Sequence, residues 1–422
     1  MSGNKEIELK LLVDRSDLKR LMQTERFAAC IRPGSEYTRT LRSTYYDTRD
    51  MHFKQKGLAY RVRDKGNGTF EATVKASLKN QGGLSQRLEL NLPLKDEAPV
   101  LEGFCQLGLD FELSALAPSG VKELFTVLVV RTTYLLDING AVIELALDAG
   151  TITAGAKKDK IDEIELELLE GDTSTLLKLA ADISGQIPLF VEKRSKYARG
   201  LALLGYEADV PIGGPAPEAA LHDDPLELAQ ACGDRLLEDQ NVLKLKVLEQ
   251  ETCERIWGEL LTLSAVAELC GLTAEKNLLW LRLLDDSLKA AGDFFAAART
   301  GQLLDEFCRK SSILAEREPL RLELLKRESD AVKELCRMAQ QGRFSAIYYS
   351  LISALFGAKA GKETVTSEKI QAHKKAVEKL QLRDMLRQIK QATIGELPGA
   401  PDALTDWVLE QEASDAGGNF SN

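Results

Sequence analysis

The chain changes its period near its midpoint. Up to about residue 206, apolar and polar positions alternate one for one in eight short stretches. They are EIELKL at 6–11, TRTLRSTYY at 38–46, LAYRVR at 58–63, FEATVKA at 70–76, SQRLELNL at 85–92, TVLVVRTTYLL at 126–136, AVIELALD at 141–148 and IDEIELELL at 161–169. A period of two predicts β-strands, because successive side chains on an extended chain point to opposite faces. Asp64–Gly68 reads as a hairpin turn, and Asn139-Gly140 as a tight two-residue hairpin. Helical spacing predicts helices at about 15–27, 96–107, 120–125 and 173–186. From 221 to about 395 apolar residues recur every three or four positions, which predicts an antiparallel helical bundle. Between the halves, EADVPIGGPAPEAA (207–220) has no period and is rich in Pro, Gly and Ala, so it reads as a linker. The expected organisation is α+β: a strand-rich domain over 1–206, the linker, a helical domain over 221–395, and a C-terminal tail over 396–422 whose end, DAGGNFSN, reads as disordered.

Each predicted strand has one ionic file. Glu6, Glu8 and Lys10 share a face, as do Thr40 and Arg42, Arg61 and Arg63, and Glu71, Thr73 and Lys75. The remaining strands contribute Arg87, Glu89 and Asn91, Arg131 and Thr133, Glu144 and Asp148, and Glu163, Glu165 and Glu167. The opposite files are mostly apolar. Two architectures satisfy this pattern: a sandwich with wet charges outside, or a sheet closed so that charges line a lumen wide enough for one small ligand. The bases in the file are mostly arginine, whose planar fork suits phosphate oxygens, and that favours the lumen without deciding it. Glu71 and Glu89 have a plainer reading as cross-strand partners of neighbouring bases. Tyr45 and Tyr46 read as strand packing, and Trp257, Trp280 and Trp407 as helical core.

Charge narrows the choice of ligand. With 55 Lys+Arg against 65 Asp+Glu the net charge is −10, which is not the footprint of a nucleic-acid binder. Residues 1–210 carry 29 bases against 31 acids and residues 211–422 carry 26 against 34, so the helical half holds most of the excess. The charged start and the lack of a long apolar run predict a cytoplasmic protein with no membrane segment. Seven scattered cysteines with no C-x-x-C pair read as reduced thiols. Acids segregate to the first and last two strands with no His or Cys among them, and carboxylates alone suit a hard cation, Mg²⁺ or Mn²⁺. Bases occupy the middle strands. A metal-chelated polyphosphate fits both groups.

Several motifs then agree in order. E-x-E-x-K at 6–10, YYDT at 45–48, Arg-x-Arg at 61 and 63, Thr-x-Lys at 73 and 75, GGLSQRLEL at 82–90, E-x-E-x-E at 163–167 and SKYARG at 195–200 resemble the CYTH superfamily of triphosphate tunnel metalloenzymes over about residues 4–205. Within it the pattern is most similar to bacterial inorganic triphosphatases of the CYTH-CHAD type. The resemblance implies an eight-stranded antiparallel closed barrel and metal-dependent hydrolysis of inorganic triphosphate to pyrophosphate and phosphate. By motif, it implies Glu6, Glu8, Asp148, Glu165 and Glu167 as metal ligands. Lys10, Arg61, Arg63, Lys75, Arg87 and Arg131 would hold phosphates, with Lys196 and Arg199 completing the basic wall. Glu163 is the acid left for steering water, and Glu8 and Lys10 would serve catalysis directly. Arg42 enters the substrate-binding set on alternation alone.

The helical half departs from the family. CHAD domains carry a histidine followed by closely spaced arginines, whereas the corresponding stretch here is LEQETCERIWGELL at 248–261, and the histidines are His52, His222 and His373. A structural role, or docking of a protein partner or second subunit, is expected there rather than polyphosphate binding. Two other activities use the same kind of lumen, an adenylyl cyclase and a thiamine triphosphatase, and both need an aromatic platform that a chain with 6% aromatics offers little of. A non-enzymatic phosphate sensor is the reading of another class, and the full set of acids argues against it, since phosphate binding needs only the bases.

Overall fold

A computed structural model describes residues 4–104, 113–206, 224–245, 250–274, 278–311, 317–357 and 366–393. The chain falls into two compact units, Met1–Ala219 and Ala220–Asn422. The expected linker at 207–220 and tail at 396–422 lie outside the described residues.

The first unit carries strands β1 (Asn4–Leu12), β2 (Tyr37–Asp47), β3 (Leu58–Asp64), β4 (Phe70–Gln81), β5 (Leu84–Leu94), β6 (Lys122–Ile138), β7 (Ala141–Ala154), β8 (Lys157–Glu170) and the two-residue β9 (Phe190–Val191). Its helices are α1 (Arg15–Met22), α2 (Glu25–Ala28), α3 (His52–Gln55), α4 (Thr173–Ser184) and α5 (Lys196–Leu203). Every one of the eight alternating stretches is a strand. They run in the order β5-β4-β3-β2-β6-β7-β8-β1, all antiparallel, and β1 returns to pair with β5 through Glu6 opposite Arg87 and Glu8 opposite Ser85. The sheet is therefore a closed eight-stranded barrel, and β9 extends it only at Leu11 and Leu12 of β1. The β6–β7 connection is the tight hairpin, with Asn139 at φ 50° and Gly140 at φ 81°, the positive dihedrals such a turn demands.

Three helix expectations need correction. Residues 122–125 open β6, which stays paired with β2 as far as Asp47 opposite Lys122, so cross-strand hydrogen bonds override a short three-and-four spacing. Residues 96–104 form bends and a turn with no α-helix, and 105–107 lie outside the described residues. The 15–27 stretch breaks into α1 and α2, because Asp14 caps the first through the amides of Ser16 and Asp17 and Thr24 starts the second through that of Phe27.

Apolar files mostly face outward under cover. Tyr60, Val62, Ala72, Val74 and Leu90 pack beneath Phe53 of α3 and beneath Phe104, Leu113 and Ala117. Leu9, Leu145, Ile164 and Leu166 are buried, and α4, which lies on β8, brings Leu176, Leu177, Ala180 and Ile183. One end of the interior is apolar as well. Tyr45, Phe125, Val127, Val129, Ile152, Ala154 and Ile161 meet Leu201 of α5 there. Gly200 permits that seating: a Cβ on it would fall 2.3 Å from the Phe125 ring.

The second unit consists, among the described residues, of α6 (Pro225–Lys244), α7 (Gln250–Leu269), α8 (Leu279–Ser311), α9 (Arg317–Gln340), α10 (Arg343–Gly357) and α11 (Ser367–Thr393). Helix α6 packs on α7, α9 and α10, and α8 on α7, α9 and α11, around a core that includes Leu236, Ile256, Leu260, Ile347 and Tyr349. Trp257 and Trp280 are buried in it, as expected. Trp407 lies outside the described residues. No helix among the described residues is long and apolar enough to cross a membrane.

Candidate active site

Alternation along β1, β3, β4, β5 and β8 aims the ionic files into the lumen, where they surround a cavity of about 620 Å³. Eleven of the expected residues line it: Glu6, Glu8, Lys10, Arg61, Arg63, Lys75, Arg87, Arg131, Glu165, Glu167 and Lys196. The last comes from α5 instead of a strand. Ser195 caps that helix by accepting from the Ala198 amide, and this fixes the first turn so that the Lys196 side chain enters the barrel.

At one side of the lumen, cations and acids form a dense network. The Lys196 ammonium lies 2.7 Å from Asp148, 2.6 Å from Glu163 and 2.9 Å from Glu165. Arg131 grips Asp148 with two parallel bonds of 2.7 Å and also reaches Glu165, while Lys10 stands 3.0 Å from Glu165. Burial works against charge at all these groups, and partners outweigh it. Glu165 is held well below the usual carboxylate range by Lys196, Lys10 and Arg131 despite its desolvation. Desolvation likewise opposes the charged Lys196, yet Glu165, Asp148 and Glu163 raise it above an ordinary lysine. Carboxylate oxygens of Asp148, Glu163 and Glu165 lie within 4.8 Å of one another, a spacing compatible with a metal ion. The lysine already stands among them, so this triad has its counter-cation built in.

Across the lumen the pairing thins. Lys75 binds both oxygens of Glu6 at 2.9 and 2.8 Å and one of Glu89 at 2.5 Å, and Arg87 donates to Glu8 at 2.8 Å. Burial would raise Glu89, but Lys75 and Arg61 bring it down to about 2. Glu167 goes the other way: burial first, then Glu6, Glu144 and Glu8, push it up to about 8. Glu6, Glu8 and Glu144 thus act on Glu167 with like charge, although Lys75 and Arg87 pair the first two. All-oxygen donors suit a hard divalent cation, so Glu6, Glu8, Glu144 and Glu167 are chemically fit to hold one, and unlike the triad they carry no lysine in their midst. Arg63 shows the converse, since burial and the neighbouring Arg61 and Arg131 depress it to about 9. Its Nε donates to the Ser43 hydroxyl at 3.0 Å, and it makes no ion pair among the described residues.

Four expected site residues fall elsewhere, and one of them, Asp148, is fully buried beside Lys196 without bordering the cavity. Arg42 is on the outer face, 56% exposed and 3.8 Å from Glu97. On β2 it is Leu41, Ser43, Tyr45 and Asp47 that are buried, which puts the even-numbered Thr40 and Arg42 outside and the odd-numbered Arg39 inside. Glu163 does not border the cavity: one oxygen takes Lys196 and the other takes Arg199 at 3.1 Å. Arg199 is behind it too, tied to Asp159 at 2.8 Å and to the Lys160 carbonyl at 2.5 Å, so it anchors α5. Residues that sequence reasoning left out of the binding set but that border the cavity include Arg39, Tyr45, Glu89, Asn91, Glu144 and Tyr197. Tyr45, read as packing, does both: it stacks on Phe125 at 4.8 Å and on Tyr197 at 5.6 Å while facing the lumen.

A closed antiparallel barrel whose lumen carries paired acids and bases around an anion-sized cavity defines a tunnel domain. Residues 4–201 match the CYTH domain. The chain is 30% identical over 164 residues, 39% of its length, to an inorganic triphosphatase of Haemophilus influenzae, and the match spans only 46% of that relative. Among solved structures it is similar to an adenylyl-cyclase-type protein of Hippeastrum described as having a dominant triphosphatase activity. That likeness has 19% identity and a TM-score of 0.35, over 47% of this chain and 95% of the other. It is also similar to the RNA triphosphatase domain of a mimivirus mRNA capping enzyme, with 12% identity and a TM-score of 0.27, over 43% of this chain and 88% of the other.

Proposed function

We propose that the barrel hydrolyses inorganic triphosphate (tripolyphosphate) to pyrophosphate and phosphate, with Mg²⁺ or Mn²⁺ as cofactor. One observation carries the reading. The cavity is bordered by both signs of charge, and the two aromatic rings at its border, Tyr45 and Tyr197, are packed against each other and against Phe125 instead of standing apart as a platform for a nucleobase or thiamine. The similarity to an inorganic triphosphatase supports it.

In this reading Lys10, Arg61, Arg63, Lys75, Arg87, Arg131 and Lys196 hold the phosphate oxygens. Their preorganised charges stabilise the negative charge that spreads over the transferred phosphoryl group. Glu6, Glu8, Glu144 and Glu167 would hold the divalent cation, which when bound neutralises phosphate oxygens and polarises the phosphorus. A water oxygen attacks the terminal phosphorus, the bond to the bridging oxygen breaks, pyrophosphate leaves with the electron pair, and the proton released from the water is taken up by the phosphate products. Glu163 and Arg199 act as positioning residues that set the height of Lys196. For the helical unit we propose a divergent CHAD-like domain with a structural or partner-docking role, supported by its excess of acids.

The test is phosphate release from tripolyphosphate, ATP and thiamine triphosphate, with Mg²⁺, Mn²⁺ or EDTA, for the native chain and Glu8→Gln. Metal-dependent release from tripolyphosphate that falls about a hundredfold or more in Glu8→Gln is the expected result. Full turnover by a folded Glu8→Gln chain, or preference for an organic triphosphate, would reject it.

A further inference from the structure

Arg39 belongs to none of the motifs that mark the family, and it stands out chemically among the lumen cations. Lys10, Arg87, Arg131 and Lys196 each have a carboxylate oxygen within 3.0 Å. Arg39 has no ion pair to any acid among the described residues. Its Nε is buried without a hydrogen-bond partner, and its guanidinium lies 5.8 Å above the ring of Tyr37. It nevertheless borders the same 620 Å³ cavity, in register with Arg131 of β6. A half-buried guanidinium that is stacked on one face and unmet at its edge is a donor waiting for an acceptor, because an unsatisfied buried N–H is costly to keep.

Position narrows the acceptor. Arg39 and Ser43 share the inner face of β2, four residues and so about 13 Å apart along the strand. Ser43 marks where Arg63 docks. Arg39 thus carries the cationic lining from the Arg63 wall toward the end of the barrel where β2 begins, a stretch that the motif residues of β3 do not reach. Acids at that end, Glu144 and Glu167, make no ion pair with it. The vacant fork calls for a phosphate oxyanion, to which arginine bonds in parallel pairs.

We propose that Arg39 is a substrate-anchoring residue, binding the phosphate of a linear inorganic polyphosphate that lies nearest the β2 end of the tunnel. This rests on the triphosphatase reading and deepens it: the chain grips its substrate beyond the reach of the family motifs. An anchor of this kind binds ground state and transition state alike, so it acts on KM and leaves kcat nearly alone. The competing view, a surface arginine merely packed on Tyr37, predicts no change in either.

The experiment compares the full native chain with Arg39→Gln and Arg39→Lys. It measures KM and kcat for tripolyphosphate with Mg²⁺, and separately the rise in melting temperature that tripolyphosphate causes in EDTA, where no turnover is needed. Expected for Arg39→Gln are a KM raised about ten- to a hundredfold, the range of one charge-assisted hydrogen-bond pair, kcat within about threefold, and a diminished melting shift. Arg39→Lys, which keeps the charge but loses the fork, should fall between, and it answers the question if Arg39→Gln does not fold. Unchanged KM and melting shift in the variants overturn the proposal while leaving the triphosphatase reading intact. A fall confined to kcat overturns it too. A native chain that neither binds nor hydrolyses tripolyphosphate removes both.

Discussion

Replacing Lys196 with methionine tests the idea that a lysine serves as the resident cation of the Asp148–Glu163–Glu165 triad. Met keeps the length of the stem and deletes the ammonium, leaving three buried acids that now share only Lys10, Arg131 and Arg199. Removing one partner from a buried ionic cluster typically costs about 3–5 kcal/mol. For a domain of this size that is a fall in melting temperature of roughly 6–20 °C. The sign of the pH dependence follows from the shifts. Lys196 is raised, so its contribution is full below an ordinary lysine pKa and disappears only as pH climbs through its higher folded value. Glu165 and Asp148 are lowered, so theirs is present above the ordinary carboxylate range and lost as pH falls through their lower folded values. The difference between native and Lys196→Met should therefore be largest near neutrality. It should shrink below about pH 4.5, where the mutant's carboxyls, no longer held down by the lysine, take up protons. The assay is far-UV circular dichroism melting at pH 7.5 and pH 4. All three tryptophans, Trp257, Trp280 and Trp407, lie in the helical half, so their fluorescence gives an independent trace of that unit. A pH-independent difference, or none, would refute the assignment.

Other expectations follow from single contacts. Glu167 is raised to about 8, so the metal-free barrel should lose roughly 2–4 kcal/mol of stability as pH rises from about 4.5 through 8. Glu167→Gln should flatten that slope in EDTA, and Mg²⁺ should flatten it for the native chain; melting curves against pH check both. Gly200→Ala would drive a methyl into the Phe125 ring and should cost about 1–3 kcal/mol, read as a lower denaturation midpoint of the barrel. Arg42→Ala should leave tripolyphosphate turnover within about twofold, because the side chain is exposed on the outer wall.

Strand alternation carried most of the barrel, because a period of two survives in every strand that has an ionic and an apolar face. It failed on β2, where an arginine stands in both files. Alternation alone placed Arg42 in the lumen, and the spacing could not tell its file from that of Arg39. Tyr45 in fact points inward, to the apolar end where α5 enters, and carries Arg39 with it. Nothing in the spacing of SKYARG foretells that its lysine fills an acid cluster while its arginine anchors the helix. That division depends on how deeply Ser195 caps the helix and on Gly200 clearing Phe125. Periodicity likewise misread 120–125, since six residues are too few to separate a helix turn from the first pairs of a long strand.

The bonds from Lys75 to Glu6 and from Arg87 to Glu8 have one further consequence. A phosphate chain that enters the lumen must draw those bases away from their acids, and a cation that settles on the acids must release the bases. Each guest thus prepares the seat of the other. Linkage then requires that metal tighten triphosphate by the same factor as triphosphate tightens metal, so the two titrations, done in either order, should close a thermodynamic square.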